Sequence, residues 1–499
     1  MILYITGLFA LGFLFFMKKR LILNGPFNKV LPALFTIKVL CGFWFLYVYS
    51  EIYGQGELGG DAGVFFNESK KLNDLFFHSP LNYLKSLVGI QNETISSFTN
   101  TMPHWSSGKQ AILNENRNLI RVHSIIHFFS FNQPIIHVFV SSFVSVFSTI
   151  YIFRAIESYT KVKSVVILLI VSLAPSFLFW SSGILKEPFA LLGFSLLLYC
   201  LFNIGFSIKK ITLLIIGSCL LIGFKLYLFF AFIPLILFIG IYRFLPRKKL
   251  LGSFVILLLI PIVFSSFFPV TRQKLIHRIG MKQYDFTNLA KGGIFVAGGK
   301  YMYYFEPNQY HSLRFTNFKN DSLWPIDGSK TGEYIQITKQ TDVSVVNYGG
   351  LTPPSIDCLS PGETYHIIYF AEESEGYISL PLIRDSFGQL IKNTPQAISN
   401  TLFRPFFGDE GSSLKYPAIL ETILLFSLLI IAFIKKRKLS ENETKIIFSL
   451  LIFTFSLAII IGLTTPVLGA IVRYRIPVYT AISLIALIII KPFKIVSNE

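Results

Sequence analysis

A chain of 499 residues with 53% hydrophobic and only 14% charged side chains lies outside the composition of soluble globular proteins and implies repeated apolar runs of bilayer length. A net charge of +18 would suggest a nucleic-acid partner in a soluble protein, but here the lysines and arginines cluster beside apolar runs, where they read as topology signals and contacts to anionic lipid, so nucleic acid is not implied. The four cysteines provide no disulfide framework, because Cys41, Cys200 and Cys219 lie inside apolar runs and Cys358 stands alone in a long polar segment.

In chain order, the first apolar run (2–16) precedes Lys18-Lys19-Arg20, the reverse of a signal peptide, and is expected to stay as a span with its N-terminus outside. The second (30–49) returns to the outside and delivers Gly59-Gly60-Asp61-Ala62-Gly63-Val64-Phe65-Phe66 there, at the start of an external loop, 50–118. An interfacial helix is expected at 120–129, then a third span at 134–153 that exits inward at Arg154. Lys161 and Lys163 precede the fourth span (165–180), which brings Ser181-Ser182-Gly183-Ile184-Leu185-Lys186-Glu187-Pro188 to the outer face; the fifth (189–206) ends inside at Lys209 and Lys210. The stretch 211–242 is long for one span and carries Lys225 near its middle, which predicts two short helices turning at Gly223-Phe224-Lys225 and puts Arg243, Arg247, Lys248 and Lys249 inside. An eighth span (251–268) leads out to a polar segment; 416–434 re-enters to Lys435-Lys436-Arg437-Lys438, 446–463 goes out, and 478–490 returns to Lys491 and Lys494.

The expectation is an all-α polytopic membrane protein of about 11 transmembrane helices, N-terminus outside and C-terminus inside. Helices one to eight fill 1–270, an external segment 271–413, and the last three helices 414–499. Within the external segment, 334–346 and 364–380 alternate valine, isoleucine and tyrosine with polar residues between glycine and proline turns, which predicts a small β-rich insert over about 295–381. A helix lying close to the bilayer is expected at 383–402.

Chemistry is sought among charges that the inward bias does not explain: Glu57 and Asp61, Arg117 and Arg121, Lys186 and Glu187, Lys225, Arg404 and Asp409, Arg473 and Arg475. All fall on the expected outer face. Each also has a plain structural reading: Lys186 as a snorkelling side chain, Glu187 before Pro188 as the first turn of a helix, Lys225 as a hairpin tip, Asp61 as a turn residue. Together they fit a positive, partly buried pocket with one or two carboxylates, suited to the phosphate or pyrophosphate of a lipid. Asp61 then takes a proton from an attacking hydroxyl, with Glu57 four residues earlier as a second carboxylate.

An acidic residue in the first long external loop, followed by many spans and outer basic residues, resembles the GT-C type of membrane glycosyltransferase. The resemblance is carried by Gly60-Asp61-Ala62 with Phe65-Phe66, by the stretch from Phe179 to Pro188, and by Val472-Arg473-Tyr474-Arg475-Ile476-Pro477, the last two similar to stretches of bacterial envelope-polysaccharide members. It implies an inverting transfer from a polyprenyl-phosphate-linked sugar to a glycan or lipid-linked acceptor at the outer face of a bacterial inner membrane, with Asp61 as the catalytic carboxylate, and it leaves a divalent metal open as a cofactor. It does not cover the β-rich insert, and the acidic pair often found in such enzymes is here a single Asp. A polysaccharide polymerase or ligase of the O-antigen type, relying on Arg404, Arg473 and Arg475, is the alternative enzyme, and a transporter of lipid-linked glycans the alternative class. His123 and His127 have i, i+4 spacing but neither the metalloprotease glutamate nor an evident third ligand, so they read as a helix-face pair. Asn67-Glu68-Ser69, Asn92-Glu93-Thr94 and Asn320-Asp321-Ser322 are glycosylation sequons by pattern, and no nucleotide-binding glycine loop occurs.

Overall fold

A computed structural model describes residues 27–106, 114–203, 205, 207–242, 252, 268–298, 301–316, 334–346, 355–383 and 386–491. The first apolar run, the eighth apart from Gly252 and Phe268, the basic residues at 18–20 and 243–249, Lys494 and the sequon at 320–322 lie outside the described residues. The chain is mostly helical with one small antiparallel sheet.

The helices are α1 (Phe27–Tyr47, passing into a π-helical turn, Val48–Ile52), α2 (Gly60–His78), α3 (Pro80–Leu87), α4 (Glu93–Thr99), α5 (Pro103–Ser106), α6 (Glu115–Ser130) and α7 (Pro134–Ile156). They continue as α8 (Ser164–Ser172), α9 (Pro175–Trp180), α10 (Glu187–Phe202), α11 (Ile208–Phe224), α12 (Leu226–Tyr242) and α13 (Pro269–Lys291). After the sheet come α14 (Phe387–Phe403), α15 (Lys415–Ile434), α16 (Glu441–Thr464), α17 (Leu468–Tyr474) and α18 (Ile476–Ile489). Local sequence sets several starts: the Asn92 side chain caps α4 by accepting from Ile95 N, and Asn114 Oδ1 accepts from Asn116 N and Arg117 N at 3.0 and 3.1 Å to cap α6. Proline opens α3, α7 and α9, where its missing N–H costs nothing.

Four described helices are long and apolar enough to cross a membrane (Val30–Ile52, Pro134–Ile156, Lys415–Ile434 and Glu441–Thr464), five if Leu468–Tyr474 and Ile476–Ile489 count as one bent span. These match the second, third, ninth and tenth expected runs. Among the described residues the count of about eleven is not confirmed, and in two runs the structure shows why. The fourth is not one helix: α8 stops at Ser172 and α9 restarts at Pro175, whose ring and missing N–H disfavour a continuous helix through Leu173 and Ala174. The fifth is a helix of 16 residues, shorter than the ~20 that span a bilayer without help. The long sixth stretch does divide at Lys225, which has φ −153° between α11 and α12.

The chain divides into two compact units: Met1–Phe254 with Ile423–Thr454 and Ile476–Glu499, and Val255–Thr422 with Phe455–Arg475. In the first, Arg437 ties three segments together. Its guanidinium donates to both carboxylate oxygens of Glu443 at 2.9 Å, to Tyr159 O at 2.8 Å and to Ile488 O at 3.1 Å, tying the segment after α7 to α16 and α18.

The second unit holds the sheet, formed by β1 (Gly293–Gly298), β2 (Tyr301–Phe305), β3 (Leu313–Thr316), β4 (Tyr334–Ile337), β5 (Thr341–Val346), β6 (Ser355–Leu359) and β7 (Thr364–Ala371) in the order β3-β4-β7-β1-β2-β5-β6. Alternation places Ile294, Val296, Phe305, Ile335, Ile337, Val343 and Ile367 in one apolar core drawn from the sheet itself. Gly293 and Ala371 are register partners, so the insert enters and leaves at neighbouring points. Deleting 293–371 and joining Gly292 to Glu372 through a short Gly-Ser linker is therefore expected to leave a detergent-solubilised protein that elutes as one symmetric peak on size exclusion; an aggregated product would show that the sheet is needed for folding.

Candidate functional site

The acidic glycine run opens α2. Gly60 has φ +56°, a conformation that favours glycine, and a Cβ on Gly63 would lie 1.7 Å from Leu58 O, so the chain can fold back over the start of the helix only with glycine there. Asp61 stands exposed in the first turn of α2, where the helix dipole favours a carboxylate. Phe65, one turn further on the same face, is buried, and the ammonium of Lys186 lies 5.6 Å from its ring centroid. Glu57 is exposed in the loop before α2.

Around Phe65 the first unit gathers most of the basic residues singled out above. Arg117 and Arg121, one turn apart on α6, are both buried and lie over the indole of Trp105 on α5, at 5.4 and 5.0 Å from the ring centroid. Arg121 also donates to Ser86 O at 2.9 Å and to Asn118 Oδ1 at 2.6 Å, while Asn118 Nδ2 donates to Gly223 O at 3.0 Å, holding the α11 end next to α6. Lys225 follows two residues later and pairs with Glu187 at 3.2 Å, both nearly inaccessible. Lys186, preceding Glu187, pairs with Glu115 at 3.2 Å at the start of α6. A turn from Ser181 to Lys186 delivers the Lys186–Glu187 step, and Ser181 is gripped from two helices: Lys38 Nζ of α1 donates to its hydroxyl at 3.1 Å and Ser145 of α7 hydrogen-bonds it at 2.6 Å.

Beneath these groups lies a core of Phe65, Leu72, Trp105, Leu119, Ile120, Phe189 and Phe224. Removal from water disfavours the charged form of both arginines, and Arg117 adds like-charge repulsion on Arg121, which burial first and that repulsion second lower to about 10.

In the second unit, Arg475 is fully buried and its guanidinium is spent on the backbone: it donates to Arg404 O, to Thr401 O and Ala418 O at 3.4 Å, and to the Thr422 hydroxyl at 3.1 Å. Arg404 pairs with Asp409 at 3.0 Å, and Asp409 Oδ2 accepts from Phe406 N at 2.7 Å. Arg473 is half-buried beside Tyr474.

The histidine pair of α6 is larger than its spacing suggests. His123 Nδ1 lies 2.8 Å from His137 Nδ1, His137 Nε2 3.1 Å from Ser130 Oγ, and His127 Nε2 3.0 Å from Ser69 Oγ, which links α2, α6 and α7. Burial holds both His123 (lowered to about 3) and His127 below the usual imidazole range. Among the described residues no group of three His, Cys, Asp or Glu side chains is placed to hold a metal ion.

No protein-family model, curated protein or solved structure matches this chain. The site therefore rests on its own geometry. Five of its residues were not singled out for chemistry in the sequence: Trp105, which carries both arginines; Glu68 and His104 beside it; Glu115, which pairs with Lys186; and Lys38, the one charge within the second apolar run. Only Lys38 had a signal, a charge inside an apolar run.

Proposed function

We propose that the chain transfers a sugar from a polyprenyl-phosphate donor to a glycan or lipid-linked acceptor at the outer face of a bacterial inner membrane, within a bundle of about eleven spans whose N-terminus is outside and C-terminus inside. One observation carries the reading: two buried guanidinium groups on one indole, with a third buried cation on the adjoining phenyl ring, one helix turn from an exposed carboxylate. Arg117, Arg121 and Lys186 supply the donors that a phosphate requires, and the aromatic floor supports the first isoprene units. Asp61 receives the proton of the attacking hydroxyl. The polymerase alternative would draw instead on Arg404, Arg473 and Arg475, of which Arg475 is fully buried against Thr401 O, Ala418 O and the Thr422 hydroxyl and Arg404 is paired with Asp409.

Binding separates this from a merely structural cluster. Protein in lipid nanodiscs is expected to bind farnesyl phosphate in preference to farnesol, and the double substitution Arg117→Gln/Arg121→Gln should weaken farnesyl phosphate binding roughly tenfold or more, about 1.4 kcal/mol or more. Equal binding of farnesol and farnesyl phosphate by the wild type would remove the phosphate site.

A further inference from the structure

Glu68, on the buried side of α2, is 5% exposed. Its Oε1 accepts the backbone N–H of His104 at 3.0 Å and lies 3.4 Å from His104 Nδ1. That second approach is too poorly aligned for a hydrogen bond, so Glu68 Oε2 and His104 Nδ1 are both buried without a hydrogen-bond partner. A buried carboxylate oxygen and a buried ring nitrogen left unmade are costly, and a proton on Nδ1 would let the ring donate to the Glu68 carboxylate. The His104 side chain is 27% exposed, so the ring still reaches solvent. Its other surroundings belong to the cation cluster: the imidazole packs on Phe65 at 5.0 Å between centroids, the same phenyl ring that carries Lys186, and the next residue is Trp105.

We propose that His104, oriented by Glu68, is the catalytic proton donor to the departing phosphate, with Glu68 as its positioning residue. The inference rests on the transferase reading. The acceptor hydroxyl gives its proton to Asp61 as its oxygen bonds to the sugar C1; the bond from C1 to the phosphate oxygen breaks, and its electron pair stays on that oxygen. The imidazolium Nε2–H passes its proton to the same oxygen, leaving a monoprotonated lipid phosphate and a neutral imidazole that solvent reprotonates. By accepting from Nδ1–H, Glu68 fixes which nitrogen faces it and leaves Nε2 for the phosphate oxygen. The other charged groups on the elements around His104 are Asp61, Lys70, Lys71 and Asp74 on α2, Glu93 on α4, and Glu115, Arg117 and Arg121 on α6, with Lys186 beyond Phe65.

The test measures farnesyl phosphate affinity against pH for nanodisc-embedded wild type, His104→Gln and Glu68→Gln. The phosphate's own titration is common to all three proteins, so differences between profiles isolate the imidazole. Wild type is expected to lose affinity on an alkaline limb that His104→Gln lacks, and Glu68→Gln should displace or abolish that limb, a change that a purely structural pair would not produce. Lipid-linked glycan formed in cells should fall roughly a hundredfold with His104→Gln. If His104→Gln keeps the wild-type limb and product, the proposal is overturned while the phosphate site stands; loss of preference for farnesyl phosphate over farnesol in the wild type overturns both. Should His104→Gln not fold, an unmoved limb in Glu68→Gln is the overturning result.

Discussion

Asp61→Asn is expected to lower transfer roughly a hundredfold or more at unchanged protein level and melting temperature. The substitution keeps the shape of the side chain and most of its hydrogen-bonding capacity but removes its ability to accept a proton. Its structural cost is small, because Asp61 is exposed in the first turn of α2 and the helix start is set by Gly59, Gly60 and Gly63. Loss of the carboxylate from the positive end of the helix costs about 0.3–1 kcal/mol, too little to unfold the chain. A polymerase working through its other arginines gives the opposite ranking: Arg404→Ala or Arg473→Ala abolishes product and Asp61→Asn is tolerated. The two are separated by extracting lipid-linked glycans from cells carrying each variant at matched expression. Near-normal product from Asp61→Asn would take this carboxylate out of the mechanism.

The elements that sequence reading located are those whose signal is local. Apolar length placed the four span-length helices, the charge at Lys225 placed the break between α11 and α12, and alternation placed β4, β5 and β7. Hydropathy registers apolarity and not continuity, so the run 165–180 reads as one span although Pro175 divides it. Basic clusters likewise hide individual fates. Arg437 reads as an inner topology signal and Arg475 as a substrate ligand, yet each clamps its neighbours through backbone carbonyls and one side chain, Glu443 or Thr422, with tertiary contacts up to 278 and 74 residues away. The groups that complete the site, Trp105, His104 and Glu68, were illegible for the same reason. The four-residue helix α5 has no periodicity of its own, and Glu68 meets it across 36 residues of chain.

The buried pair Lys225–Glu187 is expected to be the most sensitive element of the site to single truncation. Removing one partner of a buried, hydrogen-bonded ion pair leaves the other charge in a medium that solvates it poorly, at a cost of about 3–5 kcal/mol, whereas replacing both by apolar groups of similar size is often neutral. Lys225→Met should therefore lower the melting temperature in detergent sharply, and Lys225→Met/Glu187→Leu should recover at least half of the loss. Activity is expected not to follow stability. Lys225 occupies the break between α11 and α12, Asn118 holds the adjoining Gly223 to α6, and Glu187 follows the Lys186 that faces Phe65, so the pair sets where Lys186 stands relative to Arg117 and Arg121. The double variant should regain its fold and still transfer poorly, with weakened farnesyl phosphate binding. A Lys225→Met protein that melts with the wild type would mean that the pair is solvated and not a buried strut; a double variant with full transfer would reduce Lys225 and Glu187 to packing.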